Sequence, residues 1–413
     1  MGGPSCYACR VPRLSPFPGV RYAASGGRLD DLVAPPYDVI DAADAARLAS
    51  RSDHNAVLLE SPADEPERDR YAVAAARWSG WRESGVLVDD PEPALYVYRM
   101  GYHDTAGRPR QTTGVLGALE LSPPGDGQIL PHEHTTPKDK ADRLQMLRAC
   151  RANLSPIWAL SPAGGLSALC EPAGPPDARA TDEDGTHHRL WRVTAPATVE
   201  AIGHLVASAP VIVADGHHRL EVALAYRDER RAAGAAPGSP ADAVMAYVVE
   251  LADEQLMVRP IHRLVSALPP GFDLLAALRG YFEVTALDGL APDGPALAGA
   301  MAEAGALGLR SARGTFLLRP TTATDATAGA DLDSSRLDVA LAALPEHTLT
   351  FQHGAGTAMA SVAAGQADAA LLLRPATVDQ IAATGRGGDR MPPKTTFFAP
   401  KARTGMVFRD IAG

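Results

Sequence analysis

The chain has 413 residues, with 39 Lys and Arg against 49 Asp and Glu, for a formal net charge of −10. That length allows two or three ordinary domains, and 46% hydrophobic with 21% charged content excludes a disordered or fibrous chain. A net acidic chain without a long Lys/Arg run is a poor general binder of nucleic acid or of a membrane surface, so neither partner is expected.

Four cysteines are too few for a disulfide framework, which favours a reducing compartment. Cys6 and Cys9 have a C-x-x-C spacing that would supply half a zinc site, but no second pair stands near it. The alternative is a leader outside the fold. Pro4, Arg10, Pro12 and Arg13 lack the apolar core of a secretory signal, and no run reaches the ~20 apolar residues that cross a bilayer. A cytoplasmic location is the simplest expectation.

Along the chain, residues 95–99 (LYVYR) and 115–121 are rich in branched and aromatic residues and predict strands. Residues 122–128 (SPPGDGQ) predict a loop. Residues 138–152 predict an amphipathic helix with Leu144, Leu147 and Cys150 on one side. Thr136 suits its cap, Pro137 its first turn, and Asp139 falls at the capping-box spacing. Short apolar runs at 157–160 (IWAL) and 210–213 (PVIV) flank a long polar stretch, of which 171–185 reads as loop. His187, His188 and Arg189 lie in that stretch and are expected at the surface. After residue 213 the chain turns at Asp215-Gly216 and enters a helical pattern at 220–231, then a loop at 232–241 and a strand at 244–251. Residues 321–335 are polar and are expected to bulge from the last domain. The alternation predicts a mixed α/β (α+β) fold of several short units.

The segment 214–226 (ADGHHRLEVALAY) concentrates the chemistry. Gly216 permits a turn that a side chain resists, and the N–H groups of a new helix end attract an anion. His217, His218 and Arg219 add donors, and Arg grips phosphate through two bonds. Asp215 is placed to hold Mg²⁺ or to orient a histidine. The plainer alternative is a helix cap with solvated neighbours. Residues 131–143 (PHEHTTPKDKADR) form the second constellation. Thr135, Thr136, Lys138 and Arg143 crowd a helix start suited to phosphate, and Glu133, between His132 and His134, is placed to act as a general base. A zinc site on the His-Glu-His triplet lacks a third ligand, and a solvated charged loop is the remaining alternative.

The H-E pair before a helix, then Asn153-Leu154-Ser155-Pro156-Ile157, then V-x-D-G-H-H-R, resembles the ParB/sulfiredoxin-like fold, and within it the free serine kinases. The resemblance to those kinases spans roughly residues 129–251. The whole chain also resembles a widespread bacterial and archaeal family of unknown function, through residues 34–40 (APPYDVI), the H-E-H-T block, A-D-G-H-H-R and residues 391–401 (MPPKTTFFAPK). The resemblance implies a small-molecule kinase that uses a nucleotide (ATP or ADP) and Mg²⁺ to phosphorylate free serine or a similar hydroxylated metabolite. It implies Glu133 as base and Gly216, His217, His218 and Arg219 as phosphate holders, with Asp215 near the metal and His217 in the catalytic set. This agrees with the residue-level reading, because phosphoryl transfer needs chiefly positioning and positive charge.

Three regions are expected: an N-terminal α/β region (1–125), a ParB-like core (126–260) with an insertion at about 161–209, and a C-terminal α/β domain (261–413). Lys394 and Lys401 lie in an extended segment that shares the site or is solvated, and Lys394 is the one taken as a phosphate ligand. Tyr37 and Asp38 follow two prolines that extend the backbone, and Tyr37 serves either the site or a buried turn. The reading allows for a homodimer. Two rivals stand beside the kinase: a ParB-like nucleotide switch, disfavoured as a partition protein by the acidic charge, and a metal-dependent phosphodiesterase.

Overall fold

The computed structural model describes residues 11–24, 27–104, 106–123, 125–126, 128–131, 137–287, 294–387 and 390–412, with the backbone alone at 137–139, 294–295 and 386. The chain divides into two compact units. One comprises the described residues up to Met257 together with residues 400–412, and the other comprises Val258–Ala399.

The first unit is built on a nine-stranded mixed sheet. Its spatial order is Ile129–Pro131, Val211–Asp215, Ile157–Ser161, Ala243–Glu250, Pro109–Glu120, Leu95–His103, His187–Val193 and Ala178–Thr181, with Leu14–Ser15 beside Pro109–Glu120. The central strands are runs of branched apolar residues because helices cover them: Ile157, Ala159, Val211, Val213, Ala246 and Val248 are all fully buried. Val213 opposes Ala159, but the register then slips, so that Asp215 opposes Trp158. Such an irregularity re-aims the side chains that follow it, and here it falls at the carboxylate that ends the strand.

Sequence pattern and structure agree on most of these elements. The expected helix at 138–152 is Pro137–Cys150, and the one expected at 220–231 starts earlier, as His217–Ala232, because Gly216 turns the chain directly into it. These two helices pack through Leu147, Val222 and Tyr226, and Lys140–Glu221 (3.0 Å) and Arg148–Glu229 (2.5 Å) pair across their rims. A second, four-stranded sheet in this unit joins Leu87–Asp89, Gly19–Tyr22, Phe408–Asp410 and Ala152–Asn153, so the end of the chain is woven between early and middle segments.

The surface expectation for residues 187–189 holds for His187 and Arg189, which are exposed, and is corrected for His188. They begin the strand His187–Val193, which pairs with Leu95–His103 on one side and with Ala178–Thr181 on the other. Residues 178–181 lie within the expected loop at 171–185. His188 is fully buried rather than at the surface. In HHRLWRV the inward positions start with a histidine, which conceals the strand alternation.

The second unit holds a seven-stranded sheet in the order Phe282–Ala286, Gly314–Pro320, Leu307–Ser311, Ala369–Leu372, Met257–Ser266 and Thr348–His353, with Thr396–Ala399 also on Met257–Ser266. Val265, Leu278, Leu307, Leu309, Leu318 and Leu371 form its core. Residues 321–335, the polar stretch expected to bulge from the last domain, hold the helix Thr322–Ala328 and the start of Asp333–Leu341. The side chain of Thr321 caps the first helix by accepting from the Thr324 N–H (3.3 Å), and Gly329 (φ +66°) ends it. Among the described residues, no helix is long and apolar enough to cross a membrane.

Candidate functional site

The site grows from the turn after the strand Val211–Asp215. Gly216 has φ +86° and packs so closely that a Cβ there would lie 3.1 Å from the Ile157 Cα and 3.0 Å from the Arg219 Nε. Only glycine meets both demands. The turn leaves the first amides of a 16-residue helix at the end of Asp215's strand.

Asp215 is held by two cations. The Lys401 Nζ donates to its Oδ1 (2.8 Å) and the Arg219 Nη2 to its Oδ2 (2.9 Å). Burial alone would raise the Asp215 pKa, but the Lys401 ammonium and the Arg219 guanidinium hold it well below the usual carboxylate range. Burial likewise works against both cations, and Asp215 outweighs it, so Arg219 and Lys401 stay charged above their ordinary ranges. Lys401 also faces Asp38 at 3.7 Å. Arg219 donates further to the Ser155 Oγ (3.0 Å) and the Pro156 carbonyl (2.5 Å), while its buried Nε has no partner among the described residues.

Beside this cluster a cleft encloses about 450 Å³ of empty space, part of it open to solvent. Tyr37, Glu60, Arg143, Ser155 and Arg219 supply its polar wall, and Met146, Leu154 and Val222 part of the apolar one. The Arg143 guanidinium lies 4.2 Å from the centre of the Tyr37 ring and donates to the Glu60 carbonyl (3.0 Å) and to Asp142 (2.7 Å). Burial raises the Tyr37 phenol far above its ordinary range, so it stays protonated.

A hydrogen-bonded chain runs from the sheet to the segment that carries Lys401. The Arg403 N–H donates to the Tyr98 hydroxyl (3.1 Å), which lies 2.7 Å from the His188 Nδ1. The His188 Nε2 lies 3.1 Å from the Asp182 Oδ2, which also receives the Arg403 guanidinium. Tyr98 accepts one bond and gives its proton to Nδ1, which fixes a neutral imidazole with its proton on Nε2. Burial pushes the His188 pKa down, in keeping with that state. One residue on, Thr404 exchanges both backbone bonds with Ala34 (2.9 and 3.0 Å), tying this segment to the one that bears Tyr37 and Asp38.

The structure thus brings together Asp215, Gly216, Arg219 and Arg143 from the sequence reading, with His217 buried and His218 half-buried on the same helix start. Glu133, Thr135 and Thr136 lie outside the described residues, as do Cys6 and Cys9, and of Lys138 only the backbone is described. Lys394 belongs to the second unit, where its φ is +58° and its carbonyl accepts from Arg263 (3.0 Å). Sequence reasoning assigned the site no Glu60, Ser155 or Lys401. Ser155 and Lys401 stood inside motifs already singled out, whereas Glu60 had no local signal.

No curated protein matches the chain in sequence. Among solved structures, it is similar to a free serine kinase in complex with AMP, at 13% identity over 66% of this chain and 84% of that one, with a TM-score of 0.38. It is similar to a C-terminally truncated SbnI from Staphylococcus aureus at 13% identity, over 70% and 85% of the two chains, with a TM-score of 0.39. A conserved hypothetical protein from Pyrococcus furiosus is similar at 16% identity, over 66% and 87%, with a TM-score of 0.36. A family model described as a protein of unknown function, DUF1015, matches residues 14–340, and the chain belongs to that family.

Proposed function

We propose that this protein is a nucleotide-dependent phosphotransferase of the cytoplasm, acting on the hydroxyl of a small metabolite such as free serine. The observation that carries the reading is the strand–Gly216–helix turn. It brings the start of a 16-residue helix, a tight turn that only glycine can make against Ile157, and the Arg219 guanidinium together at one point. Those features fit phosphate oxygens, with the amides of His217 and His218 and the Arg219 guanidinium as the holding groups. The D-G-H-H-R motif and its order after the H-E pair support the same reading. A nucleotide bound there supplies the phosphoryl group.

The reaction asks three things of the chain. The phosphates must be fixed, which falls to the turn. The negative charge that spreads over the transferred group must be met, which falls to Arg219 and Lys401. The acceptor proton must be removed, which falls to Glu133: as the acceptor oxygen bonds to phosphorus, the bond to the nucleotide oxygen breaks and the proton passes to the carboxylate. Asp215, by contrast, does not fit a Mg²⁺ ion as it stands, since both its oxygens are taken by cations. Its role here is to hold Arg219 and Lys401 in place.

The experiment is a comparison of the wild type with Glu133→Gln. Nucleotide affinity by calorimetry should be unchanged, while acceptor-dependent nucleotide consumption should fall at least 100-fold. Full turnover in the variant would remove the base from the account.

A further inference from the structure

Glu60 ends the short helix Val57–Glu60, is only 2% exposed and lines the cleft. Its Oε1 accepts from the Ser155 hydroxyl (2.9 Å) and the Tyr37 N–H (3.3 Å). Among the described residues nothing donates to its Oε2, and no ion pair includes its carboxylate. The Arg143 guanidinium spends its bonds on the Glu60 carbonyl and on Asp142. Arg219 is committed to Ser155, Pro156 and Asp215.

A carboxylate this buried, in the wall of a largely apolar cleft and with one oxygen that no described residue bonds, is costly unless a ligand meets it. A ligand hydroxyl would satisfy a lone pair and leave the charge. A primary ammonium satisfies both, and its compact head with three donors suits a narrow site. We propose that Glu60 makes the cleft select an amine-bearing acceptor, whose ammonium donates to Oε2. The proposal rests on the phosphotransfer reading of the same site and adds the residue that sets acceptor choice. Neither the sequence motifs nor the reaction assigns a role to this carboxylate.

The test is calorimetric titration of the full-length protein with matched pairs that differ only in amine against hydroxyl: L-serine with L-glycerate, and ethanolamine with ethylene glycol. Each titration is made with and without ADP. The wild type should prefer the amine of at least one pair by tenfold or more. Glu60→Gln should bring that preference to within about threefold while ADP binding alone is unchanged, and Glu60→Asp should keep part of it. A merely structural Glu60 would weaken both members of a pair alike.

Equal binding of both members by the wild type, or an undiminished preference in folded Glu60→Gln, overturns the proposal. If Glu60→Gln does not fold, the wild-type pairs and Glu60→Asp decide. If neither ATP nor ADP binds, the phosphotransfer reading falls, and the titrations without nucleotide still decide the role of Glu60.

Discussion

Replacing Lys401 with methionine removes one ammonium from a carboxylate it meets at 2.8 Å, with the lysine side chain 8% and the Asp215 side chain 20% exposed. Breaking a buried pair from one side costs ~3–5 kcal/mol, because the remaining charge is left uncompensated. Here Arg219 still holds the other oxygen and Asp215 keeps some contact with solvent, so we expect about 2 kcal/mol. At a few degrees per kcal/mol this is a fall of roughly 4–8 °C in the unfolding midpoint. The pH dependence has a definite sign. Asp215 is depressed in the folded state, so its contribution is present above its unfolded value of about 4 and is lost as pH falls further. Lys401 is raised, so its contribution is present below about 10.4 and is lost above it. The gap between wild type and Lys401→Met should therefore be constant from pH 5 to 9 and shrink below about pH 4. Thermal melts followed by circular dichroism read it, and a cycle with Asp215→Asn should show a coupling of at least ~1 kcal/mol. Equal midpoints, or additive effects in the cycle, would refute the argument.

Further outcomes follow from the same geometry. Gly216→Ala should lower the midpoint and weaken ADP binding at least tenfold, since it puts a side chain at φ +86° and within 3.1 Å of Ile157; calorimetry checks it. Arg219→Ala should lose the same affinity, and Arg219→Lys should not restore it, because one ammonium cannot serve Asp215, Ser155 and Pro156 together. His188→Phe should cost ~2 kcal/mol or more by leaving the buried Tyr98 O–H without its acceptor and removing one donor from Asp182, with His188→Gln milder, as read by urea titration. In the second unit, burial lowers His262 from 6.5 to about 4. Its contribution to stability is present above about pH 6.5 and is lost as pH falls to 4, by up to roughly 3 kcal/mol, and His262→Gln should flatten that slope in pH-dependent melts.

Much of the site was legible because it is local. An apolar run, a glycine and a helical period put Gly216 at a strand-to-helix turn and Arg219 in the helix that follows, since each depends on neighbours a few residues away. Glu60 was not legible: what makes it a buried group is Ser155, 95 residues along the chain, and no short pattern announces that bond. Lys401 was only half visible. The motif at 391–401 was recognised, yet Lys394 was favoured, and the chain passes from the second unit back to the first between those two lysines. His188 was misread because its neighbours are polar, whereas its burial comes from strands on both sides and from Arg403.

The most direct test is phosphorus NMR of the full chain with Mg²⁺, ATP or ADP, and L-serine among other hydroxylated amino acids. The account predicts a new phosphomonoester signal that needs both nucleotide and acceptor, and that disappears in Glu133→Gln and Gly216→Ala. Nucleotide that binds and remains intact with every acceptor would contradict it.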